Sequence, residues 1–303
     1  MIQKFKFGCP MSLAEVKTTL SRVPEDVVFI SGGTDLINQL NSGRIKPAYL
    51  VDLSQVAELN YIKEAAGRLR IGSTTTFTQI RESDLVERQA RCLRQAASQV
   101  GSAQIRNRAT LGGNIAQASP AGDSLPALLA LEAWVSILGP QGLRRISFAQ
   151  LQTENRAALQ AKELITEIDF PLWEAQPATQ IVSGFAKVGS RTAVTIARLN
   201  MAAKLEIDTL TGRIKGARWV VGALGRTPFR LEELELALQG KVVNQDLAPE
   251  IADHLAKTVD RAIPGRYSQE YKRQAIQGLG YDLLDDLFPE QMSVSPAKGR
   301  KTE

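Results

Sequence analysis

Val27–Leu36 reads VVFISGGTDL, and this stretch decides what kind of fold can follow. Val27 to Ile30 form an apolar run that predicts a short strand. Ser31-Gly32-Gly33 end it, and DLINQLNSG then predicts a short helix. AYLVDL (Ala48–Leu53) predicts the next strand. Strand, glycine turn, helix and strand in that order begin a β-α-β unit. Glycines at the end of its first strand leave the backbone amides open to a phosphate-like anion.

Upstream, Ser12 and Glu15 form an S-x-x-E capping box, with Met11 and Val16 at the staple positions and Leu13, Val16 and Leu20 on one helix face. Downstream, the character changes after Ser54. RLRIGSTTTF alternates like a strand, and a long helix is predicted from about Leu85 to Val100, with Leu93, Ala96, Ala97 and Val100 on one face. PALLALEAWVSILGP predicts a helix turning into a strand, and ELITEIDFPL another strand, ending a middle unit near Trp173. The last third predicts antiparallel strands in SGFAKVGSRTAVTIARLNMAAKLEID and GRIKGARWVVGAL. Helices follow in LEELELALQGK, around His254, and in SQEYKRQAIQGLGYDLLDDLF. A mobile tail is expected over 289–303.

Between the long helix and the middle strands lies Gln104–Ala127, QIRNRATLGGNIAQASPAGDSLPA, whose paired glycines and SP and AGD turns suit neither helix nor strand. It is either a plain connection or a surface shaped to a ligand. It carries the second glycine pair, Gly112-Gly113, followed by Asn114 as the first pair is followed by Thr34. Two such loops in separate units suggest backbone donors closing on one diphosphate from opposite sides.

Composition narrows the chemistry. The 303 residues are 44% hydrophobic and 23% charged, enough for two or three compact units. No run approaches the roughly 18 apolar residues of a membrane span, and the N-terminus lacks a signal-peptide core, so a cytoplasmic location is expected. The net charge of +5 is spread along the chain without interleaved aromatics, which disfavours nucleic-acid binding. Cys9 and Cys92 supply neither a zinc site nor a disulfide framework. The one histidine, His254, sits in an amphipathic helix without a triad or metal partner. HExxH, GxSxG, paired CxxC, P-loop and GxGxxG motifs are all absent. If the chain is an enzyme, a bound cofactor carries the hard chemistry.

FISGGTDL, LVDL, RIGSTTTFTQI, QVGSAQIRNRATLGGNIAQASPAGDSLPALLALEA, GFAKVGSRTAVTIA, GRIKGARWVVGALGRTP and the Tyr271-centred EYKRQ occur in that order. Together they resemble the FAD-binding medium subunit of the molybdenum hydroxylases, the family of xanthine, nicotinate and carbon monoxide dehydrogenases. The resemblance covers nearly the whole chain, to about Leu287. It implies an α+β fold: two small α/β lobes forming a PCMH-type FAD-binding domain (1–54 and 55–175), then an antiparallel sheet with helices (180–288).

It also implies roles. Val28, Phe29, Ile30, Ser31, Gly32, Gly33, Thr34 and Asp35 match one segment that wraps the FAD diphosphate and ribityl chain. Thr110, Leu111, Gly112, Gly113 and Asn114 match the other. Asp123 matches an acid near the isoalloxazine, Lys187 a lysine near its pyrimidine end, and Ile165 a backbone or apolar ring contact. A cation at the pyrimidine end would favour the reduced flavin. On the residues alone, the favoured reading of Lys187 is a surface lysine on a strand and that of Asp123 a local turn-former. Arg106 and Arg108 are expected to be structural or to meet a partner subunit. Phe185 stands where many relatives carry Tyr, which removes a hydroxyl but keeps an aromatic wall.

The function implied is electron transfer as an oxidoreductase subunit of a hetero-oligomer. Electrons would come from a molybdopterin-binding large subunit through the [2Fe-2S] clusters of an iron–sulfur small subunit, and pass to NAD+ or another acceptor. The implied substrate is a purine or related N-heterocycle. Two alternatives remain: a stand-alone FAD reductase like those of cell-wall precursor synthesis, and a flavin-free assembly protein. No clear proton donor favours the first, and two intact glycine pairs disfavour the second.

Overall fold

The computed structural model describes residues 5–153, 159–173, 177–191 and 194–292. Three sheets follow one another along the chain. The first has β1 (Lys6–Gly8), β2 (Val27–Ile30) and β3 (Tyr49–Asp52), all parallel in the order β1-β3-β2. Parallel neighbours require crossovers, supplied by the helices Leu13–Arg22 and Leu36–Asn41. Val16 and Leu20 of the first helix are buried with Val51 and Leu53. The strand–glycine–helix–strand reading therefore holds, and it leaves β2 at a sheet edge.

The second sheet contains β4 (Ile62–Ala65), β5 (Arg68–Gly72), β6 (Trp134–Gly139), β7 (Gly142–Ser147) and β8 (Leu164–Pro171), antiparallel throughout in the order β4-β5-β8-β6-β7. Short helices cover one face around Phe77, Leu93, Leu125 and Phe148. On the other face Glu167 and Asp169 of β8 are paired with Arg70, Arg68 and Arg145. The first two units share apolar packing, because Leu138 and Leu164 join the cluster of Val16 and Val51.

The third sheet is β9 (Thr179–Gly189), β10 (Ala197–Asp208), β11 (Ile214–Gly222) and β12 (Phe229–Arg230), antiparallel in the order β12-β11-β10-β9. Its central strand β10 is buried on both faces. Met201, Ala203 and Leu205 meet the helices Leu247–Ala262 and Gln269–Leu287, while Ala202 joins the core of the second unit. Two-sided burial explains why Met201–Ala203 are apolar in succession instead of alternating.

Several local expectations are corrected. Ser12 does accept from the Glu15 amide (3.2 Å), but the Glu15 carboxylate accepts from the Met11 amide (2.8 Å), so the capping box is half formed. The staple is not made: Val16 turns inward and Met11 is 58% exposed. The long helix breaks into Asp84–Gln89 and Arg91–Gln99 at Ala90 (φ −158°), which lets both Val86 and Leu93 reach one core. The strand read in RLRIGSTTTF ends at Gly72, because Thr76 opens a helix through a complete capping box with Gln79. Gln104–Ala127 is more helical than its composition suggests, and the second glycine pair lies in the first turn of the helix Leu111–Gln117. The first residues of the expected tail are structured: Pro289–Met292 form a helical turn with Met292 buried against the third unit. The remainder of the expected tail, 293–303, lies outside the described residues.

Candidate cofactor-binding cleft

The free edge of β2 faces the second unit across a cleft of about 360 Å³, which continues into a second space of about 280 Å³. Val28, Phe29, Ile30, Ser31, Gly113 and Ala116 line both, so they are one elongated site. Spaces of this order are typical of ligand sites.

The middle of the cleft is polar. Among the described residues, the amides of Ser31, Gly32, Gly33, Thr34 and Asp35 donate to no protein acceptor. Gly33 is in the left-handed region (φ +72°), which bends this run of donors into a concavity. Gly32 is required for a different reason. A Cβ there would stand 2.0 Å from the carbonyl oxygen of Arg108, where the two units touch.

The second glycine pair is built differently. Leu111 donates its amide to Thr75 O (3.0 Å), Gly112 to Ser73 O (2.9 Å), Gly113 to Thr110 Oγ1 (3.2 Å) and Asn114 to Thr110 O (3.0 Å). These amides are already satisfied by the protein. A Cβ on Gly112 would lie 2.6 Å from Ser73 Cβ, so this glycine serves packing within its own unit. Gly113, Thr110 and Asn114 still face the cleft, whereas Leu111 is buried in the core.

Both ends of the cleft are more apolar. Phe77, Val100, Ile105 and Ile45 line one end, and Leu53, Leu159, Leu164 and Ile165 the other. Beside Ile165, the buried Ser73 Oγ has no hydrogen-bond partner among the described residues. Glu163 also lines this end, and the Arg144 guanidinium holds its carboxyl below the usual range. Gln39 of the first unit donates to Gln117 of the second (3.3 Å), bridging the cleft. The arrangement suits an elongated molecule with an anionic middle and flat apolar ends.

Asp123 and Lys187 do not line this space. They form a buried ion pair (2.5 Å), with Asp123 also accepting from Asn200 Nδ2 (3.0 Å) and Lys187 donating to Gln99 O (3.1 Å). Gln99 precedes Val100 in the cleft wall, so the pair stands behind that wall. Burial pushes the Asp123 carboxyl above its usual range, against the pull of Lys187. Phe185 also does not wall the cleft. It is buried in the core of the second unit, and its amide donates to Gln95 (2.8 Å). Arg106 is structural, donating to the carbonyls of Val100 (3.1 Å) and Gly101 (2.9 Å).

Sequence reasoning missed Ser73, Thr74, Gln39, Gln117, Leu159 and Glu163 as lining residues. For Ser73 and Thr74 there was a signal: small polar residues directly after the strand Arg68–Gly72.

Residues 3–173 match the family model for the FAD binding domain in molybdopterin dehydrogenase. The chain belongs to this family. Residues 185–287 match the CO dehydrogenase flavoprotein C-terminal domain. The chain is 32% identical over 296 residues to the nicotinate dehydrogenase FAD-subunit of Eubacterium barkeri, covering 94% of this chain and 98% of that protein. It is 31% identical over 277 residues to the xanthine dehydrogenase FAD-binding subunit of Escherichia coli O157:H7, covering 91% and 93%. A chain of the carbon monoxide dehydrogenase of Hydrogenophaga pseudoflava, in a form lacking the Mo-pyranopterin moiety, shares the fold: TM-score 0.82 at 24% identity, over 95% of this chain and 99% of that one. This is therefore an FAD-binding oxidoreductase subunit of the molybdenum hydroxylase type. Among the described residues no helix is long and apolar enough to cross a membrane.

Proposed function

We propose that FAD lies along this cleft and that the chain relays electrons from a substrate oxidised on another subunit. The observation that carries the reading is the run of five unpartnered amides, Ser31 to Asp35, at the middle of an elongated cleft. Fixed backbone donors suit a diphosphate, and only one glycine pair offers them; the other shapes the facing wall. The unsatisfied Ser73 Oγ adds a polar contact at the Ile165 end. The apolar ends suit the two ring systems of FAD.

FAD supplies the ability to accept two reducing equivalents and release them together or singly. The protein's residues bind and orient it. Val28 to Ile30 present a strand edge, Gly113 and Asn114 close the opposite side, and Ile165 gives an apolar surface. Lys187, held by Asp123, stands behind the wall at Gln99, at the opposite end beside Val100. An iron–sulfur small subunit and a molybdopterin-binding large subunit are the proposed partners. NAD+ is the proposed acceptor, and a purine or related N-heterocycle the proposed substrate class, in keeping with the xanthine and nicotinate dehydrogenase subunits it is similar to.

The test is to purify the chain, record its visible absorption and identify any released chromophore by mass. FAD near one per chain, or uptake of added FAD to that level, supports the reading. A colourless chain that takes up no FAD sinks it.

A further inference from the structure

The EYKRQ segment has no place in the cleft, yet its lysine is unusual. Lys272 lies near the start of the helix Gln269–Leu287, where the macrodipole disfavours a cation. It is half-buried, and burial followed by the charge of Arg266 lowers its pKa. Among the described residues no carboxylate pairs with it. Its side chain makes one hydrogen bond among the described residues, from Nζ to the carbonyl of Ala223 (2.6 Å).

Ala223 follows the end of β11 with φ +56°, a conformation that a non-glycine residue keeps only when its surroundings over-determine it. Both its backbone groups are held. Lys272 grips the carbonyl, and the amide donates to Pro120 O (3.0 Å). Pro120 belongs to the Ser119–Asp123 turn, which leaves the glycine-pair helix through another left-handed alanine, Ala118 (φ +46°). Gly222 fits against the same region. A Cβ there would lie 2.3 Å from Asn200 Oδ1, and Asn200 donates to Asp123. Further along, Thr227 shares a crevice with Ala116 and Leu159, which themselves line the cleft.

We propose that Lys272 is a positioning residue for the cleft: its grip on the Ala223 carbonyl fixes the bend whose amide holds the Ser119–Asp123 turn, and with it the Asp123–Lys187 pair. The third unit thereby sets the geometry of a wall it does not itself form. Its link to the cofactor rests on the FAD reading above.

The test compares the whole chain with its Lys272→Met and Lys272→Arg variants by amide hydrogen exchange and FAD titration. Lys272→Met is expected to speed exchange over both 117–124 and 220–228. It should weaken FAD binding about tenfold, the scale of one lost charge-assisted hydrogen bond. Lys272→Arg, which keeps charge and reach, should restore most of both. If Lys272→Met does not fold, Lys272→Gln is read in its place. A lowered melting temperature with exchange over 117–124 and FAD affinity both unchanged overturns the proposal, because Lys272 would then anchor only its own helix. If the unaltered chain binds no FAD, the cofactor reading fails, and exchange over 117–124 alone decides the relay.

Discussion

Gly32→Ala is the smallest change that separates the two jaws of the cleft. The added Cβ would stand 2.0 Å from Arg108 O, 2.7 Å from Arg108 C and 3.0 Å from Ala109 Cα. All three are backbone atoms, so no side chain can swing aside. Restoring an ordinary separation of roughly 3.5 Å to that oxygen requires the segments to part by about 1.5 Å. Overpacking of this kind costs about 1–3 kcal/mol. At roughly 2–4 °C per kcal/mol, the melting temperature falls measurably. The displacement is at the amide cradle, so FAD affinity should fall by a similar energy, roughly 5- to 150-fold. Thermal unfolding and FAD titration check this, with Gly278→Ala as the control. Gly278 is inside a helix with open space around its Cβ position, and the change should stabilise by about 0.5–1 kcal/mol. A Gly32→Ala chain with unaltered melting and FAD affinity would refute the reasoning that this contact sets the cleft.

The buried Asp123–Lys187 pair predicts strong non-additivity. Asp123→Asn and Lys187→Met each leave a charge buried alone and should cost about 3–5 kcal/mol, while the double variant should recover most of that. Additive losses in denaturant unfolding would show that the two groups act separately. The raised Asp123 pKa has a defined sign: its folded form holds the proton more tightly than the unfolded chain. Its contribution to stability is therefore greatest below the unfolded carboxyl pKa and is lost as pH rises through the folded one. Stability should depend less on pH across that window in the double variant than in the parent. Finally, one thiol should react under native conditions and two after unfolding. Cys9 is exposed, whereas Cys92 is fully buried with its pKa pushed up to about 11 by desolvation. Two fast native thiols would mean that the core around Cys92 opens readily.

Two strands of the first sheet, β2 and β3, were legible because their signals are local, whereas β1 is a three-residue strand defined by its pairing with β3 and carries no pattern of its own. Val27–Ile30, the glycines and the helix after Asp35 each announce themselves within a few residues. Glycine was less transparent. Gly33 answers to its own backbone angle, but Gly32 and Gly112 answer to Arg108 and Ser73, distant in sequence, and no spacing rule shows which atoms a missing Cβ would strike. The same limit hid the difference between the pairs. Whether an amide is free depends on whether residues 73–75 lie alongside it, as they do for 111–112 and not for 31–35. Glycine propensity also misled at Leu111–Gln117, where the Thr110 cap and the contact with Ser73 hold a helix that composition disfavours. The resemblance singled out Asp123 and Lys187 one by one, but that they form a buried ion pair away from the cleft lining became legible only from the packing of β9 and β10.

Amide hydrogen exchange with and without FAD, resolved to single residues across 28–36 and 109–115, tests the central claim most directly. The account predicts new protection at Ser31 to Asp35 on adding FAD and little change at Leu111 and Gly112, whose amides are already bonded. Protection confined to 111–114, or none at 31–35 in a chain that has bound FAD, would contradict it.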